Sequence, residues 1–173
     1  MRRALLRGMG FAITLGFSTA VFAQTETTET KKTESKPAPA KSESASGIKY
    51  VTPEDAPKAI GPYSQGVAAG GFLFCAGQTP RDPKTGEQVS GGIEPATERT
   101  LDNLEAVLKA ERLTFADVVK TTVFLTKGED FQPMNGVYSR RMGDSKPARS
   151  TVVVAGLPGN AVIEIEMIAR TKK

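Results

Sequence analysis

Glu164 and Glu166 stand two residues apart in the run 162–169, and Arg149 opens the apolar run 149–155. A carboxylate can orient a water for attack or carry a proton. A guanidinium presents a planar fork of donors that grips another carboxylate through two parallel bonds. These groups gain weight because commoner machinery is missing. The 173 residues include no His, which excludes a Ser-His-Asp triad, a Cys-His dyad, His-ligated zinc and a His proton shuttle. The single Cys, Cys75, excludes an intrachain disulfide and any CxxC metal or redox site. Chemistry is left to Tyr, Arg, Lys, Glu, Asp, Ser, Thr, Asn and backbone groups, and neither metal nor cofactor is expected.

One domain must position these groups. The composition, 39% hydrophobic and 24% charged, supports a packed core. β-Branched and alternating runs predict strands at 48–51, 65–69, 72–76, 118–125, 149–155 and 162–169. Gly70-Gly71 predicts a hairpin between the second and third. Asp82-Pro83, Thr85-Gly86 and Gly91-Gly92 make 81–92 a loop. Leu101, Leu104 and Leu108 recur at helical spacing after Glu94-Pro95, so a helix is expected from 94 to about 111. A shorter amphipathic helix is expected over 131–142. The order β-β-β-α-β-α-β-β lacks regular βαβ alternation, which predicts an α+β fold: a single mixed six-stranded sheet with two helices on one face.

In the last strand Ile163, Ile165, Met167 and Ala169 share a face, expected beneath the helices, while Val162, Glu164, Glu166 and Ile168 share the other. The run 149–155 is largely apolar on both faces. Helices can cover only one, so the other is expected to pack on another subunit. If the last two strands pair symmetrically about the turn 156–160, Arg149 and Glu164 are offset by about three residues, roughly 10 Å of backbone. A small acid can bridge two long side chains across such a gap.

The N-terminal residues read as export and spacing. Arg2, Arg3 and Arg7 precede a mostly apolar run, 9–22, that ends in Val21-Phe22-Ala23. Residues 1–23 are therefore expected to be a signal peptide cleaved after Ala23, giving a periplasmic or secreted protein. The apolar run is shorter than the ~20 residues of a spanning helix, so no stable membrane insertion is expected after cleavage. Residues 24–46 contain no Phe, Leu, Ile, Val or Tyr and read as a disordered linker ahead of the domain, 47–173. Without Arg2, Arg3 and Arg7, 20 basic residues face 19 acidic ones, a net charge of +1. Lys31-Lys32 and Arg140-Arg141 read as isolated, solvated pairs, and nucleic acid is not an expected partner.

Five ordered motifs carry a family resemblance over about 52–170. Ile60-Gly61-Pro62-Tyr63-Ser64-Gln65 resembles the IGPYxQ signature of the RidA (YjgF) family of reactive-intermediate deaminases. Cys75-Ala76-Gly77-Gln78 with Asp82-Pro83-Lys84-Thr85-Gly86, the run 117–124, Pro147-Ala148-Arg149-Ser150 and the run 163–169 resemble the family's SGQ, DVVKTTVF, PARS and EIEAIA segments. The resemblance implies a chorismate-mutase-like fold and a homotrimer whose sheets line a barrel, with three clefts at subunit interfaces. It also implies cofactor-independent hydrolysis of 2-enamine or 2-imine acids to 2-keto acids and ammonia, the activity of a 2-iminobutanoate/2-iminopropanoate deaminase. The small-molecule partner would be an imino or keto acid.

The resemblance also implies roles. Arg149 would bind the substrate carboxylate. Glu164 would orient water or shuttle protons, with Glu166 beside it as a weaker candidate. Tyr63 would reach the site from a neighbouring chain. Asn135 would stand before the main body of the second helix. Thr151 takes a position where many relatives have Cys, and its backbone can still meet ligand. Ala76 and Gly77 would line the substrate, with Ala76 at the family's Ser position. Cys75 reads as buried and inert. Three features depart from the family: 135–149 is about three residues short, Ser139-Arg140-Arg141 replaces an aromatic helix face, and Arg112 stands where relatives often end a helix with Gly. A positive φ at Arg112 would cost roughly 1 kcal/mol. Two other functions use the same features. One is non-catalytic binding of small carboxylates through Arg149; the other is a chaperone-like trimer in the cell envelope.

Overall fold

The computed structural model describes residues 47–172. The expected signal peptide, 1–23, and linker, 24–46, lie outside the described residues. The strands are β1 (Lys49–Val51), β2 (Gly66–Ala69), β3 (Phe72–Gln78), β4 (Val118–Leu125), β5 (Ala148–Val153) and β6 (Ile163–Arg170), and the helices are α1 (Ile93–Ala110) and α2 (Phe131–Met142). They form one six-stranded mixed sheet in the order β1-β2-β3-β6-β4-β5. Every pairing is antiparallel except β4 with β5, which α2 joins as a crossover. Gly70-Gly71 closes the β2–β3 hairpin as expected.

Alternation along β6 places Ile163, Ile165, Met167 and Ala169 in the core at 0–1% exposure. They meet the apolar stripe of α1, where Leu101, Leu104, Val107 and Leu108 are fully buried, and Leu73 of β3. At about 25 cal/mol per Å² of apolar surface, such a row is the main stabilising term of the fold. Cys75 belongs to this core, and burial pushes its thiol up to about 12, which keeps it from reacting as a thiolate.

Two expectations about the sheet need correction. The last two strands do not pair: β4 lies between β5 and β6. Nor do the helices cover the whole of one face of β5. They cover it only around Thr151, which is half-buried; further along this edge strand Val153 is 59% exposed, and Val152 on the other face is 44% exposed. The physical reason is the α2 crossover, which delivers β5 parallel to β4 on the outer side. The sheet face away from the helices carries Phe72 and Phe74, 40% and 45% exposed, on β3.

Arg140 and Arg141 are not simply solvated. Arg141 donates to Glu98 and Asp102 of α1, both at 2.8 Å, and Arg140 donates to Glu98 at 2.6 Å. The 139–141 segment therefore locks α2 against α1. Glu98 accepts from both, which holds its carboxyl below the ordinary range.

Arg112 has φ +58°. Its N–H reaches Lys109 O and the Leu113 N–H reaches Leu108 O, the paired closure of a helix that ends in a left-handed residue. Only Gly occupies that region without a Cβ penalty. Arg112→Gly is expected to raise the unfolding free energy by about 0.5–1 kcal/mol, the relieved strain less the added freedom of the unfolded chain. An unchanged or lower urea midpoint would refute this account.

Candidate functional site

All of the expected site residues but Thr151 and the weaker candidate Glu166 gather in two places. The first is a cleft of about 330 Å³ that includes Tyr63, Ala76, Gly77, Arg81, Pro158 and Glu164. Tyr63 sits in the loop between β1 and β2. Buried Gln65 anchors that loop: its side-chain amide donates to Pro57 O at 2.7 Å and Ala56 O at 3.3 Å, and its backbone O accepts from Ala76 N at 3.0 Å. The signature Gln thus ties the Tyr63 loop to β3.

Opposite β6, the register of β3 shifts between Cys75 and Gln78, and Gly77 falls within this irregularity. A Cβ on Gly77 would lie 2.8 Å from Glu164 Cδ. Glu164 therefore lies directly over the Gly77 backbone, in space that only a glycine leaves. Burial, and then repulsion from Glu166, raise the Glu164 carboxyl above its ordinary value. Among the described residues it has no ion-pair partner. A half-buried carboxylate of raised pKa without a cation has the character of a proton carrier rather than of a structural ion.

The second place is a shallower depression of about 460 Å³ that includes Asn135, Tyr138, Lys146 and Arg149. The Arg149 guanidinium lies 4.7 Å from the centroid of the Tyr138 ring. The Tyr138 hydroxyl is fixed by a 2.9 Å bond with Thr121. Burial raises the Tyr138 phenol, partly offset by Thr121 and Arg149. Arg149 has no ion pair among the described residues, so its fork is available to a carboxylate.

These two groups of residues do not converge within one chain. Arg149 pairs with Thr121, which is buried beneath the helices, whereas Glu164 pairs with Phe124 on the opposite face. The three-residue offset survives, because 121 and 124 are three apart on β4. The two residues are nevertheless two strands apart, about 10 Å across as well as roughly 10 Å along. The bridge by one small acid expected from a β5–β6 hairpin is therefore excluded within a single protomer.

Other expectations shift in detail. Asn135 lies in the first half of α2. Thr151 pairs with Val123 on the helix-facing side, its hydroxyl buried without a partner, and borders neither place. Glu166 borders a third depression with Phe74 and Lys120. Sequence reasoning missed Gln65, Tyr138 and Arg81. Gln65 had a signal in its apolar surroundings; Arg81 stood in a run that read only as a loop. Among the described residues no group of three or more His, Cys, Asp or Glu could hold a metal ion.

The family described as Endoribonuclease L-PSP matches residues 53–171. A RutC family protein of Pyrococcus horikoshii is 53% identical over 116 residues, 67% of this chain and 92% of that protein. The 2-iminobutanoate/2-iminopropanoate deaminase of Escherichia coli is 44% identical over 124 residues, 70% of this chain and 96% of that protein. The crystal structure of the YjgF gene product of E. coli is similar with a TM-score of 0.68 at 42% identity, covering 72% of this chain and 99% of that one.

Proposed function

Because the chain belongs to the Endoribonuclease L-PSP family, the family of RidA and YjgF, we propose that it hydrolyses 2-imino acids to 2-keto acids and ammonia at sites shared between subunits. The observation that carries this reading is Glu164: a carboxylate with no cation beside it, raised in pKa, resting on Gly77 in a cleft with Tyr63.

The substrate carboxylate lies in the fork of Arg149, whose guanidinium stands over the Tyr138 ring. Water adds to C2 of the protonated imine, and Glu164 takes the proton that the water loses. Glu164 then returns that proton to the amino nitrogen of the carbinolamine. The C–N bond breaks, ammonia leaves and the C2 hydroxyl becomes the ketone as its proton departs to solvent. One water enters, one ammonia leaves and no electrons change owner, so the reaction needs no redox cofactor. The Tyr63 hydroxyl holds the water or substrate from the cleft wall.

Arg149 and Glu164 serve one substrate only if they come from different chains, so the cleft of one protomer faces the Arg149 of the next in a homotrimer. The exposed Phe72, Phe74 and Val152 supply apolar surface for such an assembly. The basic and apolar run 2–22, read as a signal peptide, supports an activity outside the cytoplasm. Imine generated in situ by an amino-acid oxidase and trapped with semicarbazide tests the reading. The protein is expected to lower the yield of trapped adduct and to run as a trimer in light scattering. An active monomer would defeat the shared site. Heat protection by 2-keto acids without turnover would leave a binding protein instead.

A further inference from the structure

The Tyr63–Glu164 cleft contains a cation that imine hydrolysis at Glu164 does not require. Arg81 is held at both ends. Its backbone O accepts at 2.9 Å from the amide of Asn103, a buried residue of α1 that also donates to Thr79 O. Its Nη1 donates to Gly86 O at 2.8 Å. A Cβ on Gly159, which has φ +64°, would lie 3.3 Å from Arg81 Nη2, so the 158–160 turn packs closely on the guanidinium. The long side chain is thus set before any ligand arrives, and less of its freedom remains to be lost on binding.

The head group is nevertheless uncompensated. Arg99, Arg140 and Arg141 all pair with carboxylates of α1, whereas Arg81 makes no ion pair among the described residues and spends one side-chain hydrogen bond on Gly86. Exposed Lys58 borders the same cleft. Two cations thus line a cleft whose one carboxylate, Glu164, pairs with neither of them, and the cleft attracts a second anion. At about 330 Å³ it is at the small end of ligand sites.

We propose that Arg81 is a specificity residue and that the preferred substrates are 2-imino dicarboxylates, with Arg149 holding the carboxylate on C1 and Arg81 the one at the far end of the side chain. This rests on the deaminase reading. A carboxylate matches the planar fork of the free Arg81 donors. A side chain ending in a methyl group would leave those donors facing an apolar group, the mismatch that polar sites reject most strongly.

The test compares the imine formed from D-aspartate by D-aspartate oxidase with that formed from D-alanine by D-amino-acid oxidase, scored as the ratio of the two kcat/KM values. The wild-type ratio is expected to favour the dicarboxylate. Arg81→Leu and Arg81→Gln should each lower it on the order of 30-fold, and Arg81→Lys by less, since charge remains but the fork does not. Arg81→Gln keeps a donor for Gly86 O, which guards against mere loosening of the loop. A ratio unchanged by these substitutions, or a wild type that favours the alanine-derived imine, overturns the proposal. Hydrolysis of neither imine defeats the deaminase reading instead. Calorimetry of oxaloacetate against pyruvate, on wild type and Arg81→Gln, then decides separately whether Arg81 reads a second carboxylate: equal preference in both proteins refutes it.

Discussion

Arg149→Ala is expected to lower kcat/KM for imine hydrolysis by roughly 30-fold to several thousand-fold, with the assembly intact. Removing one partner of a desolvated, charge-assisted pair costs on the order of 2–5 kcal/mol, and 1.4 kcal/mol is tenfold. The assembly should survive because Arg149 is exposed at an edge strand and contributes its guanidinium to no ion pair among the described residues. Arg149→Lys should recover little. An ammonium has neither the two parallel donors nor the planar group that stands over Tyr138. Semicarbazide trapping, with light scattering on the same preparations, measures both quantities. A folded, assembled Arg149→Ala protein with near-native turnover would refute the assignment.

Glu164→Gln separates chemistry from binding. The amide keeps the shape and one acceptor but cannot take a proton, so kcat should fall by about 100-fold or more while 2-keto-acid affinity changes little. The pH profile gives a sharper reading. A base must be ionised, so wild-type rate falls as pH drops through the Glu164 pKa, which burial and Glu166 hold above the ordinary value. Glu166→Gln removes one of those causes and should move this acid limb to lower pH. Glu164→Gln should abolish the limb. Stability runs the other way. A carboxyl raised in the folded state binds its proton more tightly there than in the unfolded chain. Its contribution is fully present below the unfolded pKa and is lost as pH rises through the folded one. Glu164→Gln should therefore fold at least as well as wild type at neutral pH, and lost turnover cannot be assigned to unfolding. An acid limb that stays in place in both variants would remove Glu164 from the proton path.

Much of this molecule was legible because it is local. Alternation in 162–169 decided which face of β6 enters the core, and Ile163, Ile165 and Met167 obey it. The Leu101, Leu104 and Leu108 spacing decided α1, and the run 131–142 coincides with α2. The family's helix-ending Gly made a positive φ conceivable at Arg112, and the structure has it there. Periodicity and terminal geometry involve neighbours within one or two turns, so a linear sequence contains them. The family resemblance implied one site of Tyr63, Ala76, Gly77, Asn135, Arg149, Thr151 and Glu164, and of these Tyr63, Ala76, Gly77 and Glu164 share a cleft.

Strand partnership is a different matter, since any unpaired edge satisfies backbone donors and acceptors equally well. The short turn after β5 made a hairpin with β6 the simple expectation. Burying the apolar face of α2 against the sheet instead brought β5 down parallel to β4 and left β6 between β3 and β4. That choice put Arg149 and Glu164 two strands apart, whereas their odd, three-residue offset sets them on opposite faces in either arrangement. The same long-range packing brought Arg140, still exposed, and half-buried Arg141 to the carboxylates of α1 and set Arg81 beside Gly86 and Gly159. The sequence by itself determined which residues can bind, ionise and pack. Only the tertiary structure decided which of them share a cleft, because that depends on contacts between residues far apart in the chain, which no local pattern encodes.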